Sequence, residues 1–203
     1  MTQSPTIYIV TDIEADGPTP GENSMLSFAS VAISEDGQVH GEFETVLAAL
    51  NAASGHPSTL AWFKAQPEAW AAATCDPQPP ELEMRRFETW VEELPGVPMF
   101  AAHPLMFDGA WIDFYMRRFL NKPLMTMPWQ NERLFVGAGL CIRSYAKGVL
   151  GAKTPKAGAG YPDDWVGHHP HTHRAIDDAR GYAHLLAHLM RVARAKSDTH
   201  GGS

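Results

Sequence analysis

Residues 7–17 read IYIVTDIEADG, an apolar and β-branched run that ends in three acidic residues and a glycine. Such a run predicts a buried strand that carries carboxylates at its carboxyl end. Side chains alternate between the faces of a strand, so we expect Asp12 and Glu14 to point the same way while Ile13 points into the core. Adjacent carboxylates repel unless one is protonated or a cation lies between them. The stretch indicates either a divalent-metal site or an ordinary strand end with solvated acids.

The composition is typical of a globular protein with one substantial core. The chain has 203 residues, of which 44% are hydrophobic and 19% are charged, and we predict one domain over residues 1–195 and a flexible tail over residues 196–203. No apolar run approaches the roughly 18 residues that a membrane span needs, so we expect no membrane partner. The first residues lack a leader pattern, and Cys75 and Cys141 lie far apart. We therefore predict a cytoplasmic protein without a disulfide framework.

The formal net charge of −7 limits the kind of polyanion that the chain can bind. A protein that grips long duplex nucleic acid through its phosphates normally carries a positive charge. Bound cations would reverse the local potential at a cluster of acids, and a single strand or a strand end needs few phosphate contacts. The charge argues against tight non-specific binding to a long duplex and mildly favours single-stranded or short substrates.

The order of predicted elements indicates an α/β domain with a mixed sheet. Residues 25–33 and 39–47 predict two strands that continue the first as an antiparallel meander. Helices then alternate with strands, beginning with a short helix for which Ser58 is a plausible N-cap, and residues 124–127 are a candidate short strand. The other predicted elements are helices over 59–65 and 67–73, a helix ended by Pro95-Gly96, a strand over 97–102, helices around 112–119 and 142–149, and a long helix over 174–195.

Two more acids lie next to the ends of predicted elements. Asp108 follows a predicted buried strand and opens a helix, and Asp178 lies five residues after His173 in the last helix. If the first strand is central in the sheet, these residues could meet Asp12 and Glu14 around one point. Four carboxylates and one imidazole would suit two divalent metals with the histidine as general base. Spacing alone does not establish that they converge.

Three motifs, in this order, resemble those of the DEDDh 3′–5′ exonucleases of the ribonuclease H-like superfamily. They are Asp12-Ile13-Glu14, Phe107-Asp108, and the helix start from His173 to Ala179. The resemblance covers about residues 7–192. It implies a ribonuclease H-like α/β fold, with a five-stranded mixed sheet flanked by helices, and an enzyme that releases nucleoside 5′-monophosphates from the 3′ end of single-stranded or short DNA or RNA.

The resemblance also implies roles for individual residues. Asp12 would bridge two Mg²⁺ or Mn²⁺ ions, Glu14 and Asp178 would complete the tighter site, and Asp108 would hold the second ion, partly through water. His173 would take a proton from the attacking water. The positions implied to contact substrate are Ala15, Gly17, Phe107 and His173.

The sequence departs from the family pattern at two places. Pro104 follows His103, where relatives often have Asn, and Ala15 and Asp16 precede Gly17, where relatives often have Thr or Ser and then Gly. Both departures bear on substrate preference more than on the chemistry. We expect Asp16 to shape the following turn and Asp177 to be a solvated acid on the helix.

Two other functions stay open: a non-catalytic module that binds nucleic acid or protein on the same fold, and a metal-dependent phosphatase for small phosphate esters. A homodimer is also left open.

The run at 168–173 is either a site for zinc, copper or nickel in its own right or a loop in which only His173 is positioned. Lys153 and Lys156 either steer a phosphate or solvate the loop. The aromatic-rich segment Trp62, Phe63, Gln66 and Trp70 could stack on bases, although aromatics at helical spacing are more often core.

Overall fold

The computed structural model describes residues 4–126, 129, 133–156 and 160–200. The strands are β1 (Thr6–Ala15), β2 (Met25–Ser34), β3 (Val39–Val46), β4 (Val97–Ala102) and β5 (Leu140–Cys141). The helices are α1 (Pro57–Lys64), α2 (Pro67–Thr74), α3 (Pro80–Glu92), α4 (Leu105–Leu120), α5 (Ile142–Leu150) and α6 (Ala175–His200), and a 3₁₀ turn spans Gly151–Lys153.

The five strands form one mixed sheet in the order β3-β2-β1-β4-β5. β1 pairs antiparallel with β2, and β2 pairs antiparallel with β3, which confirms the predicted meander. β4 pairs parallel with β1, with Thr6 opposite Val97 and Thr11 opposite Ala102. Because β1 and β4 are parallel neighbours, their carboxyl ends meet at one edge of the sheet, and β1 lies at the centre.

Helices cover both faces of the sheet, as predicted. Ile7, Ile9 and Ile13 of β1 pack with apolar side chains of α3 and α4 on one face. Tyr8 and Val10 pack with α5 and α6 on the other face. Strand alternation continues this second face to Asp12 and Glu14, so β1 directs both carboxylates towards the α6 side of the sheet. The α/β fold with a five-stranded mixed sheet is therefore confirmed.

The fifth strand is not where the sequence placed it. The predicted strand over residues 124–127 is wrong for residues 124–126, which form a bend, and residue 127 lies outside the described residues. The Leu124 backbone N–H donates to Asp113 Oδ1 at 2.7 Å rather than to a strand. Leu124 itself is buried in the core, which explains its apolar character. Leu140–Cys141 pairs with the end of β4 instead.

Two helix ends also differ from prediction. α1 begins one residue before Ser58, because Pro57 occupies its first turn and His56 is the N-cap. α6 runs to His200, so residues 196–200 are helical where a tail was expected, and residues 201–203 lie outside the described residues. Cys75 and Cys141 are both free thiols. Among the helices of the described ranges, none has the length and hydropathy of a membrane span.

Candidate metal centre and active site

Three neighbouring elements deliver four carboxylates to the carboxyl edge of the sheet. Asp12 and Glu14 come from the last part of β1, on one face. Asp108 lies in the first turn of α4, directly after β4, and Asp178 lies in the first turn of α6. α6 packs across β1 and β2, which brings its first turn over the end of β1. The topology therefore gathers acids that are far apart in sequence.

The carboxylates share one open cavity of about 390 Å³. One oxygen from each of Asp12, Glu14 and Asp178 lies within 4.8 Å of the others, which is close enough to ligate one ion. Asp108 and Asp178 are buried, with 2% and 4% of their surface exposed. All eight positions predicted as site residues line this cavity: Asp12, Glu14, Ala15, Gly17, Phe107, Asp108, His173 and Asp178.

Burial and mutual repulsion disfavour ionisation of this cluster. Burial, followed by the charges of Asp108, Glu14 and Asp178, holds the pKa of Asp12 well above its usual range. Burial, together with Asp178 and Asp108, raises the pKa of Glu14 to about 8. Burial raises the pKa of Asp108 to about 7, against backbone hydrogen bonding at Asp108 and Ile13 that lowers it. A divalent cation would relieve this repulsion, and an all-oxygen ligand set fits Mg²⁺ or Mn²⁺.

Two imidazoles border the carboxylates. His171 Nδ1 lies 2.9 Å from Asp178 Oδ2, and this hydrogen bond raises the pKa of His171. The ring of His173 lies 4.4 Å from that of His171 and 4.9 Å from that of Trp62. Burial and the neighbouring His171 lower the pKa of His173, which favours its neutral form, the form that can accept a proton.

The structure places Asp178, and not its neighbour Asp177, with the other carboxylates. The Thr172 backbone N–H donates to Asp178 Oδ1 at 3.1 Å, and this contact orients the carboxylate. Asp177 accepts a hydrogen bond from the Thr172 hydroxyl at 3.0 Å and lies 3.6 Å from Arg180. The two consecutive acids of the motif therefore face different surroundings.

The loop after β1 is held by polar contacts that the motif does not reveal. Asp16 is buried, and its Oδ1 accepts a hydrogen bond from the Ser24 backbone N–H at 2.6 Å. A Cβ on Gly17 would lie 2.2 Å from the Asn23 side chain, so this position requires glycine for packing. Asn23 in turn donates to the Ser54 carbonyl at 2.7 Å. Asp16 thus braces the loop, in agreement with the expectation that it shapes the turn.

Thr59 and Tyr182 line the cavity but were not identified from the sequence, whereas Trp62 belongs to the aromatic segment whose role the sequence left open. Trp62 is 50% exposed and lines the cavity with Thr59, whereas its neighbour Phe63 is buried, so the aromatic segment is divided between site and core. Thr59 and Trp62 are three residues apart on one helix face, a spacing that could have indicated this. Tyr182 follows Asp178 by one helical turn and also lines the cavity.

His103 also lines the carboxylate cavity. Its ring stacks on Tyr182 with centroids 4.4 Å apart, and its Nε2 lies 3.3 Å from the Tyr161 hydroxyl. Burial lowers the pKa of His103 to about 4, so the ring is neutral near pH 7. The following bond to Pro104 is cis.

A second cavity of about 430 Å³ adjoins the first, and both cationic and acidic side chains line it. His103, His171, Asp178 and Tyr182 line both cavities. Arg143 and Lys156 line the second cavity, whereas Lys153 does not. Asp163, Asp177 and Asp178 line the same cavity, so the two cations are interspersed with acids.

No protein-family model and no curated protein sequence matches the chain. Solved structures are similar in fold. E. coli exonuclease I in complex with a dT13 oligonucleotide has a TM-score of 0.67 and 14% identity, covering 96% of this chain and 43% of exonuclease I. A 3′-exonuclease from a structure of 3′-end-specific recognition of a histone mRNA stem-loop has a TM-score of 0.61 and 8% identity, covering 94% of this chain and 84% of that one.

The nuclease domain of 3′hExo, a DEDDh family member bound to rAMP, has a TM-score of 0.58 and 10% identity, over 91% of this chain and 92% of that domain. This chain therefore spans less than half of exonuclease I but nearly the whole of the 3′hExo domain. The chain has the ribonuclease H-like α/β fold of these 3′-exonucleases.

Proposed function

We propose that the protein is a metal-dependent 3′–5′ exonuclease that acts on single-stranded or short nucleic acid. The observation that carries this proposal is the convergence of four carboxylates and an imidazole, in the DEDDh order, on one cavity of a ribonuclease H-like fold. Solvated acids at a strand end would not combine this burial with such close oxygen-to-oxygen distances. The similarity in fold to a nuclease in complex with an oligonucleotide and to a nuclease domain bound to rAMP supports the same proposal.

The acids would hold two divalent ions, Mg²⁺ or Mn²⁺, in complementary ways. Asp12 is the proposed bridge because it comes from the central strand and interacts electrostatically with the other three acids. Glu14 and Asp178 would complete one ion site, and Asp108 would hold the second. When bound, the ions supply charge neutralisation of the phosphodiester and lower the pKa of a water.

The remaining residues would handle the proton and the substrate. His173, with its lowered pKa, would accept the proton of the attacking water. The exposed rings of Phe107 and Trp62 would contact the terminal nucleotide, near Ala15 and Gly17. Base stacking is tolerant of sequence, which suits an enzyme that removes successive nucleotides.

The second cavity would take the strand that leads away from the scissile phosphate. Arg143 and Lys156 would contact its phosphates. This cavity shares four lining residues with the carboxylate cavity, so a strand could pass from one into the other. The substrate is thus a single strand or a short end, DNA or RNA.

A substrate panel tests the proposal. Oligonucleotides of single-stranded DNA and RNA, a duplex, a dinucleotide and a chromogenic phosphate monoester would be incubated with Mg²⁺ or Mn²⁺ and with EDTA. We expect metal-dependent shortening of single strands with release of nucleoside 5′-monophosphates. Hydrolysis of the monoester alone would identify a phosphatase, and metal-independent binding without cleavage would identify a non-catalytic module.

A matched pair of variants separates the site from the fold. Asp178→Asn should abolish cleavage, because it removes a ligand from the carboxylate cluster. Asp177→Asn should keep activity within a few-fold, because this acid pairs with Arg180 instead. Circular dichroism would confirm that both variants are folded, and equal activity of the two would contradict the assignment.

The proposal also includes the location of the protein in the cell and its oligomeric state. We propose a cytoplasmic location, in keeping with the two free thiols. A homodimer is the proposed oligomeric state to test, by native mass spectrometry of the purified protein. A mass of one chain at micromolar concentration would contradict it.

A further inference from the structure

The described ranges contain a second group of metal-ligand side chains, which overlaps the carboxylate cluster at one residue. Its members are His171, His173 and Asp178, and one ligand atom from each lies within 4.8 Å of the others. The proposed hydrolysis uses His173 and Asp178 but gives His171 no role. The group is therefore a separate feature that requires its own explanation.

The geometry of this group suits one small cation. His171 Nδ1 and Asp178 Oδ2 are 2.9 Å apart. Ligand atoms about 2.0–2.1 Å from a tetrahedral ion are separated by about 3.3 Å, so only a small adjustment is needed for both to bind. The rings of His171 and His173 are 4.4 Å apart with an interplanar angle of 70°, so they meet edge to face rather than stacking on each other.

The Asp178 carboxylate is already oriented so that one of its oxygens could bind such an ion. Its carboxylate is buried, and the Thr172 backbone N–H occupies Oδ1 at 3.1 Å. Oδ2 faces His171, whose side chain is 57% exposed. An ion can thus reach the group from solvent through His171 without opening the core.

The two ligand groups differ in their metal preference. Asp12, Glu14 and Asp178 offer only oxygen, which suits Mg²⁺ and Mn²⁺. Two imidazoles with one carboxylate are instead a typical three-ligand set for Zn²⁺, with an open fourth position. Because imidazole is a better ligand for Zn²⁺ than for Mg²⁺, the second group favours zinc over magnesium.

We propose that His171, His173 and Asp178 form a Zn²⁺ site whose occupation switches off hydrolysis at the neighbouring carboxylates. Zinc bound there takes the imidazole of His173, which can then no longer accept a proton. It also draws Asp178 away from the carboxylate group. The inhibitory part of this inference rests on the proposed nuclease function, whereas the binding part does not.

Metal binding is tested first, without any activity measurement. Zn²⁺ would be titrated calorimetrically into the full chain in millimolar Mg²⁺, and Co²⁺ would replace Zn²⁺ to report coordination through its visible absorption. We expect one zinc per chain, a tetrahedral Co²⁺ spectrum, and an affinity at least tenfold weaker in His171→Ala. The matched control is His169→Ala, because His169 belongs to the same loop but its ring lies against His184, with centroids 5.1 Å apart. Equal zinc affinity in wild type and His171→Ala would overturn the site.

Inhibition is then measured as the zinc concentration that halves cleavage in Mg²⁺, taken relative to each variant's own zinc-free rate. We expect this concentration to rise at least tenfold in His171→Ala and to stay unchanged in His169→Ala. An unchanged value in His171→Ala would show that zinc acts by replacing magnesium at the carboxylates, which overturns the inhibitory site. If no variant cleaves any substrate, the proposed function fails together with inhibition, while the binding experiment still decides whether the zinc site exists.

Discussion

Glu14 should make the metal-free protein less stable as the pH rises. Its pKa is raised from 4.5 to about 8 by burial and by the nearby carboxylates. Between these two values the folded state holds a proton that the unfolded state has released, so the free energy of unfolding falls with rising pH across this window. At about 1.4 kcal/mol per pKa unit, the cost is roughly 3 kcal/mol at pH 7.

Glu14→Gln removes this cost because the amide is neutral in both states. In EDTA we expect the variant to be more stable than wild type by up to roughly 3 kcal/mol at pH 7, or about 6–12 °C in Tm for a chain of this size. The difference should vanish below about pH 4.5, where the wild-type carboxyl is protonated in both states. Urea unfolding followed by circular dichroism, at several pH values, measures it.

Glu93→Gln is the matched control, because Glu93 is exposed and lies outside the carboxylate cluster. It should show no such pH-dependent gain. In millimolar Mn²⁺ the stability advantage of Glu14→Gln over wild type should shrink or change sign. Metal binding stabilises only the folded state, and the variant lacks one of the ligands. A stability difference in EDTA that is the same at pH 4.5 and pH 8 would refute the repulsion on which the metal-site interpretation depends.

Three further predictions concern the substrate and the loop beside the site. Trp62→Ala should raise KM for single-stranded substrates by roughly 5- to 150-fold, from lost stacking of about 1–3 kcal/mol, and an unchanged KM would exclude stacking. Fluorescence anisotropy at several salt concentrations gives the slope of log affinity against log salt concentration. Arg143→Gln and Lys156→Gln should each reduce this slope by about one. A wild-type slope in both variants would show that neither side chain contacts phosphate. Tyr115→Phe should destabilise the protein by roughly 1–3 kcal/mol, because the buried Tyr115 hydroxyl accepts a hydrogen bond from the Met25 N–H at 2.9 Å. An unaltered midpoint of urea unfolding would contradict this prediction.

The parts of the fold that the sequence predicted are those with strong local patterns. β1 combines an apolar β-branched run with alternation, so its position and the facing of Asp12 and Glu14 followed from strand geometry alone. The two antiparallel partners follow through short connections with turn residues. The proximity of Asp108 and Asp178 was a hypothesis, because parallel pairing of β4 and the crossing of α6 are long-range features that no local pattern encodes.

The features that the sequence missed or left open depend on tertiary contacts. β5 has two residues and exists only because β4 offers an edge at that point, so no periodicity could reveal it. Phe63 packs into the core whereas Trp62 lines the cavity, and this difference depends on where α1 packs against the sheet. The sequence left His171 open as a metal ligand or a loop residue, and only the placement of the loop against α6 brings it to Asp178.

The most direct test of the central claim follows the first bond that is broken. A single-stranded oligonucleotide that carries its label in the 3′-terminal nucleotide would be incubated with wild type, His173→Ala and Asp12→Asn in Mg²⁺ and in Mn²⁺. The proposed exonuclease predicts that the earliest labelled product of wild type is a nucleoside 5′-monophosphate, that EDTA prevents its release, and that both folded variants release it at least 100-fold more slowly. Longer labelled fragments as first products, or full activity of both variants, would contradict it.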